Sequence, residues 1–196
     1  VPLGILYKEQ SVMETFHCSS LIKILSVPKN NIIAEMDDEH TTNFWTSVFD
    51  CILATDIGQH KKIIEEAEAK LNNSDGSFDL KNPQNKQLLL RFLVKCAVYS
   101  RVARVFDPKH SWSGALCEEA FPEISNSSDE VIVSAKDNDV LVARGQIEYV
   151  QSYCVPLFTI LGRMAPELQT LGDQVRVNLS KWKEISPDPP AETSRK

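Results

Sequence analysis

The chain has 196 residues, 42% hydrophobic and 24% charged, proportions that suit one folded domain with a real core and exclude wholesale disorder. Its 21 Lys plus Arg against 27 Asp plus Glu leave a net charge of −6, the wrong sign for a general nucleic-acid or acidic-membrane binder. Cys18, Cys51, Cys96, Cys117 and Cys154 stand singly in apolar stretches without C-x-x-C spacing, so they read as buried thiols in a reducing, intracellular compartment, in the cytoplasm or an organellar assembly, and not as a disulfide framework or zinc site.

Val1 to Leu6 is apolar but lacks the basic start and small-residue cleavage site of a signal peptide, and reads as the interior of a domain. Val12, Leu21, Ile22, Ile24 and Leu25 recur at helical spacing through Ser11 to Val27, and Pro28-Lys29-Asn30-Asn31 closes that helix. A long amphipathic pattern from about Glu39 to Leu71 places Phe44, Trp45, Val48, Cys51, Ile52, Ile63, Ile64, Ala67 and Leu71 on one side, with Gly58 as a kink. Asn72 to Asn85 holds the turn formers Asp75-Gly76 and Pro83 and reads as a surface loop.

Leu88 to Val98 is so uniformly apolar that its helix is expected to be buried nearly all round, at the centre of the core. The connection that follows ends at Pro108. Trp112 to Phe121 reads as a short helix, and Pro122 to Asp139 as a polar loop. A helix from about Val140 to Arg163 carries Pro156 as an interior kink, and the last helix, after Pro166, lines up Leu168, Leu171, Val175, Leu179 and Trp182. Strand signals are nearly absent and no apolar run approaches the roughly 18–20 residues of a membrane span, so the expectation is a compact all-α bundle over 1–185 followed by a disordered polar tail over 186–196.

Several strings, in one order, resemble the class I cyclic-nucleotide phosphodiesterase catalytic domain. Met13-Glu14-Thr15-Phe16-His17 stands where that family has Leu-Glu-Asn-His-His, and Ile52-Leu53-Ala54-Thr55-Asp56 with His60 matches I-L-A-T-D-x-x-x-H. Trp112 with Glu118-Glu119-Ala120-Phe121 resembles W-x5-E-E-F-F; Gln146, Tyr149 and Pro156-Leu157-Phe158 fall at the nucleotide-reading glutamine, a clamp aromatic and the P-L-F motif; Asn178, Trp182 and Lys183 resemble N-R-x-x-W. The likeness implies the C-terminal part of that HD-type helical domain, without its N-terminal metal-binding half.

Family chemistry, as the resemblance implies it, uses zinc and magnesium held by two histidines and two aspartates to make a hydroxide that attacks the cyclic phosphate. The motif H-C-A-D-[LIV]-S-N-P aligns with Lys95, Cys96, Ala97, Val98, Tyr99, Ser100, Arg101 and Val102, so the metal-binding aspartate falls on Val98 and the asparagine on Arg101. An isopropyl group cannot coordinate a hard cation. The expectation is a protein with no metal cofactor and no catalytic residues, in which Gln146, Tyr149, Leu116, Ile57 and His60 are a vestigial nucleotide site.

Other polar residues have bland readings. Asp56 and His60 lie one turn apart and could in principle ligate a metal or pair as acid and base, but such a pair is more simply a structural hydrogen bond; Glu14 and His17 are read the same way. His40 and His110 read as surface residues, and Lys61-Lys62 with Glu65-Glu66 as a solvated face of i,i+4 pairs. The leading expectation is a phosphodiesterase-derived pseudoenzyme acting as a docking subunit, with a protein partner covering the faces that the absent half would cover. Its alternatives are one piece of an active cyclic AMP or cyclic GMP phosphodiesterase, and a non-catalytic cyclic-nucleotide sensor.

Overall fold

A computed structural model describes residues 2–8, 10–73, 78–107 and 135–186. Among the described residues there are helices and no strands, as the all-α expectation requires. The chain divides into two compact units, Val1–Tyr99 and Ser100–Lys196. The expected short helix at Trp112–Phe121, together with Leu116, His110, Cys117 and the tail beyond Ser186, lies outside the described residues.

The first unit holds α1 (Pro2–Leu6), α2 (Val12–Leu25), α3 (Asp38–Leu53), α4 (His60–Asn73) and α5 (Pro83–Val98). α3 starts where Asp37 accepts the His40 backbone N–H at 2.8 Å, with Asp38 and Glu39 set against the positive end of the helix. α5 starts where Asn82 accepts the Gln84 N–H at 2.8 Å and Pro83 supplies a preset first turn. The pattern from Glu39 to Leu71 is two helices, not one helix kinked at Gly58. The break runs from Ala54 to Gln59, because the Asp56 carboxylate accepts the Gly58 N–H at 2.8 Å and caps a short 3₁₀ turn over Ile57–Gln59.

α5 also departs from expectation. Leu88, Phe92, Lys95 and Cys96 face inward, whereas Leu90, Leu93, Val94, Ala97 and Val98 face out. The helix is buried on one stripe and not all round. The core of this unit gathers Cys18, Leu25, Cys51, Ala54, Ile63, Ala67, Leu71, Leu88, Phe92 and Cys96. On α4 only Lys61 meets its expected partner, Glu65, at 3.7 Å; Glu66 instead takes the Arg91 guanidinium at 3.0 Å, a pairing of two helices that helical spacing cannot show.

The second unit holds α6 (Ala135–Tyr149), a π-turn over Val150–Cys154, α7 (Val155–Met164) and α8 (Gln169–Ile185). α6 begins five residues earlier than the polar composition suggested. Pro156 does not bend a continuous α-helix: the chain widens before it, the Val155 N–H reaching back to the Val150 carbonyl, and Pro156 then occupies the first turn of α7, where its missing N–H costs little. Leu157, Phe158, Ile160, Leu161 and Met164 pack with Val175 and Trp182 of α8. α7 and α8 approach closely because Gly172 has no side chain; a Cβ there would lie 3.2 Å from the Phe158 carbonyl oxygen.

Candidate functional site

The residues nominated from sequence fall into two groups. In the first unit Ile57 projects outward from the 3₁₀ turn, while His60, one turn on, is buried at the start of α4. In the second unit Gln146 and Tyr149 lie three residues apart, hence on one side of α6, both half-buried, with the Tyr149 ring 6.1 Å from that of Tyr153. Each group belongs to its own compact unit.

Asp56 has a structural role. Its carboxylate accepts the Ser11 hydroxyl at 2.7 Å as well as the Gly58 N–H, so it ties the start of α2 to the break after α3. His17 is exposed and Glu14 half-buried. His40 is at the surface, as expected, where it bonds Asp37 at 2.8 Å.

The largest surprise lies in the string that aligns with H-C-A-D. Lys95 is 0% exposed, and its ammonium donates to the carbonyls of Ala54 at 2.8 Å, Asp56 at 2.9 Å and Thr55 at 3.4 Å. Three N–H donors thus meet three carbonyls at the interruption of the helix, of which the Asp56 carbonyl also accepts the Gln59 N–H at 3.2 Å. Burial pulls the Lys95 ammonium down to about 8, against the opposing pull of Asp56, Glu14 and Cys96 and with a further small push from Arg91. Val98 has a different environment: it is 59% exposed on the outer face of α5. The expectation that the Leu88–Val98 run is buried nearly all round therefore fails at Val98, because position 98 is on the far side of the helix from Phe92 and Cys96.

The buried thiols of Cys18, Cys51 and Cys154 are pushed upward by desolvation, Cys154 to about 12 with a Tyr149 hydrogen bond opposing, which suits inert core thiols. Asn178, buried on α8, donates to the carbonyls of Val102 at 2.8 Å and Arg104 at 2.7 Å, and Trp182 meets Phe106 edge-on at 5.0 Å. Together they fasten the 100–106 segment, which carries Arg101, to α8.

The sequence pattern that defines the 3'5'-cyclic nucleotide phosphodiesterase family (PDEase_I) matches residues 1–175. The chain belongs to this family. It is 28% identical over 170 residues to the mouse (Mus musculus) high affinity cGMP-specific 3',5'-cyclic phosphodiesterase 9A, a match covering 85% of this chain and 31% of that protein. It is also 28% identical over 189 residues to the 3',5'-cyclic-nucleotide phosphodiesterase regA of Dictyostelium discoideum, covering 92% of this chain and 23% of that one. The chain thus spans about a third or less of these two relatives. Among solved structures, the phosphodiesterase domain of the RhoPDE fusion protein from Salpingoeca rosetta superimposes with a TM-score of 0.80 at 23% identity, over 95% of this chain and 60% of that one. LmjPDEB1 in complex with IBMX gives 0.76 at 28% identity, over 94% and 56%. The all-α phosphodiesterase fold follows directly.

At the position that aligns with the family's metal-binding aspartate, Val98 offers no lone pair, so its side chain does not fit a metal ligand's role. The sequence signal for Lys95 was available, since it is the one cation set between Phe92 and Cys96 in an apolar run. Its carbonyl partners lie about forty residues upstream, beyond the reach of any local pattern.

Proposed function

We propose that this phosphodiesterase-family chain is a non-catalytic helical module that docks within a larger assembly. The observation that carries the proposal is Val98: at the position of the family's metal-binding aspartate it presents only methyl groups, so a partner supplying the remaining ligands would still find none here. The docking half of the proposal is supported by the outward face of α5, where Leu90, Leu93, Val94, Ala97 and Val98 form an uninterrupted apolar stripe, and by Met13, Phe16 and Ile24 exposed on α2. Purified protein, with any co-purifying chain retained, is expected to leave cyclic AMP and cyclic GMP intact in the presence of zinc and magnesium. Metal-dependent turnover would refute the non-catalytic reading in favour of one piece of an active phosphodiesterase. A monodisperse monomer in light scattering would count against docking.

Gln146 and Tyr149 favour a second reading, a cyclic-nucleotide sensor without hydrolysis, because an amide and an aromatic ring on one side of α6 can hydrogen-bond and stack a purine. Titration calorimetry decides it. Heat on adding cyclic GMP, lost in Gln146→Ala, supports the sensor, and absence of heat removes it.

A further inference from the structure

Ser11 is one of two described non-glycine residues with positive φ, at 42°, the other being Lys8 at 56°. Such a left-handed conformation is unfavourable for a residue with a Cβ and persists only where surrounding contacts hold it. Ser11 precedes the first turn of α2, yet its hydroxyl does not cap that helix. It donates instead across 45 residues to Asp56 Oδ2 at 2.7 Å. The other oxygen of the same carboxylate holds the Gly58 N–H, and the carbonyl of the same residue receives Lys95 of α5 at 2.9 Å. Asp56 is therefore the shared member of three bonds that reach α2, the Ile57–Gln59 turn and α5.

Of the residues of α2, which packs on α3, only Cys18 and Leu25 are fully buried. We propose that Ser11, Asp56 and Lys95 form a latch that couples the docking of the α2 start to the position of the Ile57–Gln59 turn, so that release at one end loosens the other. The geometry gives the latch a direction of strain. Ser11 is held in its left-handed state by the Asp56 bond, and losing that bond lets its backbone relax to negative φ and turn the first residues of α2 away from the break. The Asp56 side chain, no longer tethered to Ser11, is then free to rotate, which loosens the turn that holds Gly58 and with it the backbone carbonyl that takes the Lys95 ammonium. The charged and titratable groups that act on the ammonium are Asp56 of the break, Glu14 of α2, and the Cys96 thiol and Arg91 of α5.

Hydrogen exchange followed by NMR on Ser11→Ala and Ser11→Gly tests this in the intact chain. Alanine removes the hydroxyl and keeps the backbone strain, whereas glycine removes both. Ser11→Ala is expected to speed exchange at the Gly58 amide and the Lys95 ammonium by at least about fivefold, with α8 amides unchanged, and Ser11→Gly to do so by less. A change confined to the first turn of α2, or a uniform change over the whole chain, would overturn the coupling. Lys95→Met supplies the reverse arm, with faster exchange at Thr15 of α2. Where that variant does not fold, the Gly58 and Lys95 readings of Ser11→Ala still decide.

Discussion

The two compact units solve one problem by different chemistry. Each has backbone carbonyls, where a helix ends, that a buried side chain takes up. In the first unit a charged ammonium, Lys95, takes the carbonyls of Ala54, Thr55 and Asp56. In the second a neutral amide, Asn178, takes those of Val102 and Arg104. The ammonium satisfies one more acceptor than the amide but carries a full charge into the interior, and its downward-shifted pKa records that cost. The amide makes its bonds without one. A buried cation is thus the costlier fastening, and its contribution depends on pH whereas the amide's does not.

Variants that separate charge from packing sharpen this contrast. The largest effect is expected from packing alone: Phe92→Ala and Phe158→Ala, at two fully buried rings, one per unit, should each lower unfolding free energy by about 3–5 kcal/mol in denaturant titrations. Next comes Lys95→Met, which strips donors from three carbonyls while removing the buried charge; a net loss of about 2–3 kcal/mol at neutral pH is expected.

The pH test isolates the charge. The folded-state pKa of Lys95 is about 8 against an ordinary 10.5, so between those values the unfolded chain binds the extra proton. Stability from this group therefore rises with pH through that window, by up to about 3 kcal/mol, and is lowest below pH 8, where both states are protonated. The wild type should show this rise relative to Lys95→Met; equal slopes in the two proteins would dismiss a strongly desolvated ammonium.

Asn178→Ala is expected to cost about 2 kcal/mol with no slope over the same range. Smallest of all is Val98→Asp. Exposed at the last residue of α5, it should cost about 0.5 kcal/mol, chiefly from a negative charge at a helix C-terminus. A loss above about 2 kcal/mol would mean that position 98 is covered in solution, and would favour the docked assembly.

Much of the architecture was written in local pattern. Apolar spacing and the punctuation of Pro28, Pro83 and Pro166 located α2, α5 and α8, and the strings around Asp56, Gln146 and Asn178 pointed to the family. What pattern could not supply was which side of each helix faces inward. The Leu88–Val98 run is apolar all round, so only packing against α3 decides that Phe92 and Lys95 are inside and Val98 outside. The same holds for polar partners. Asp56 closes a local turn on Gly58, but its bond to Ser11, 45 residues away, depends on the chain reversing between α2 and α3. Sequence by itself determined the helical class, the family and the chemistry of position 98, because residue type and short spacing suffice for those. Only the tertiary structure decided that the string bearing Val98 is anchored by a buried cation, since the carbonyls that hold Lys95 come together only once α3 has ended and α5 has packed beside it.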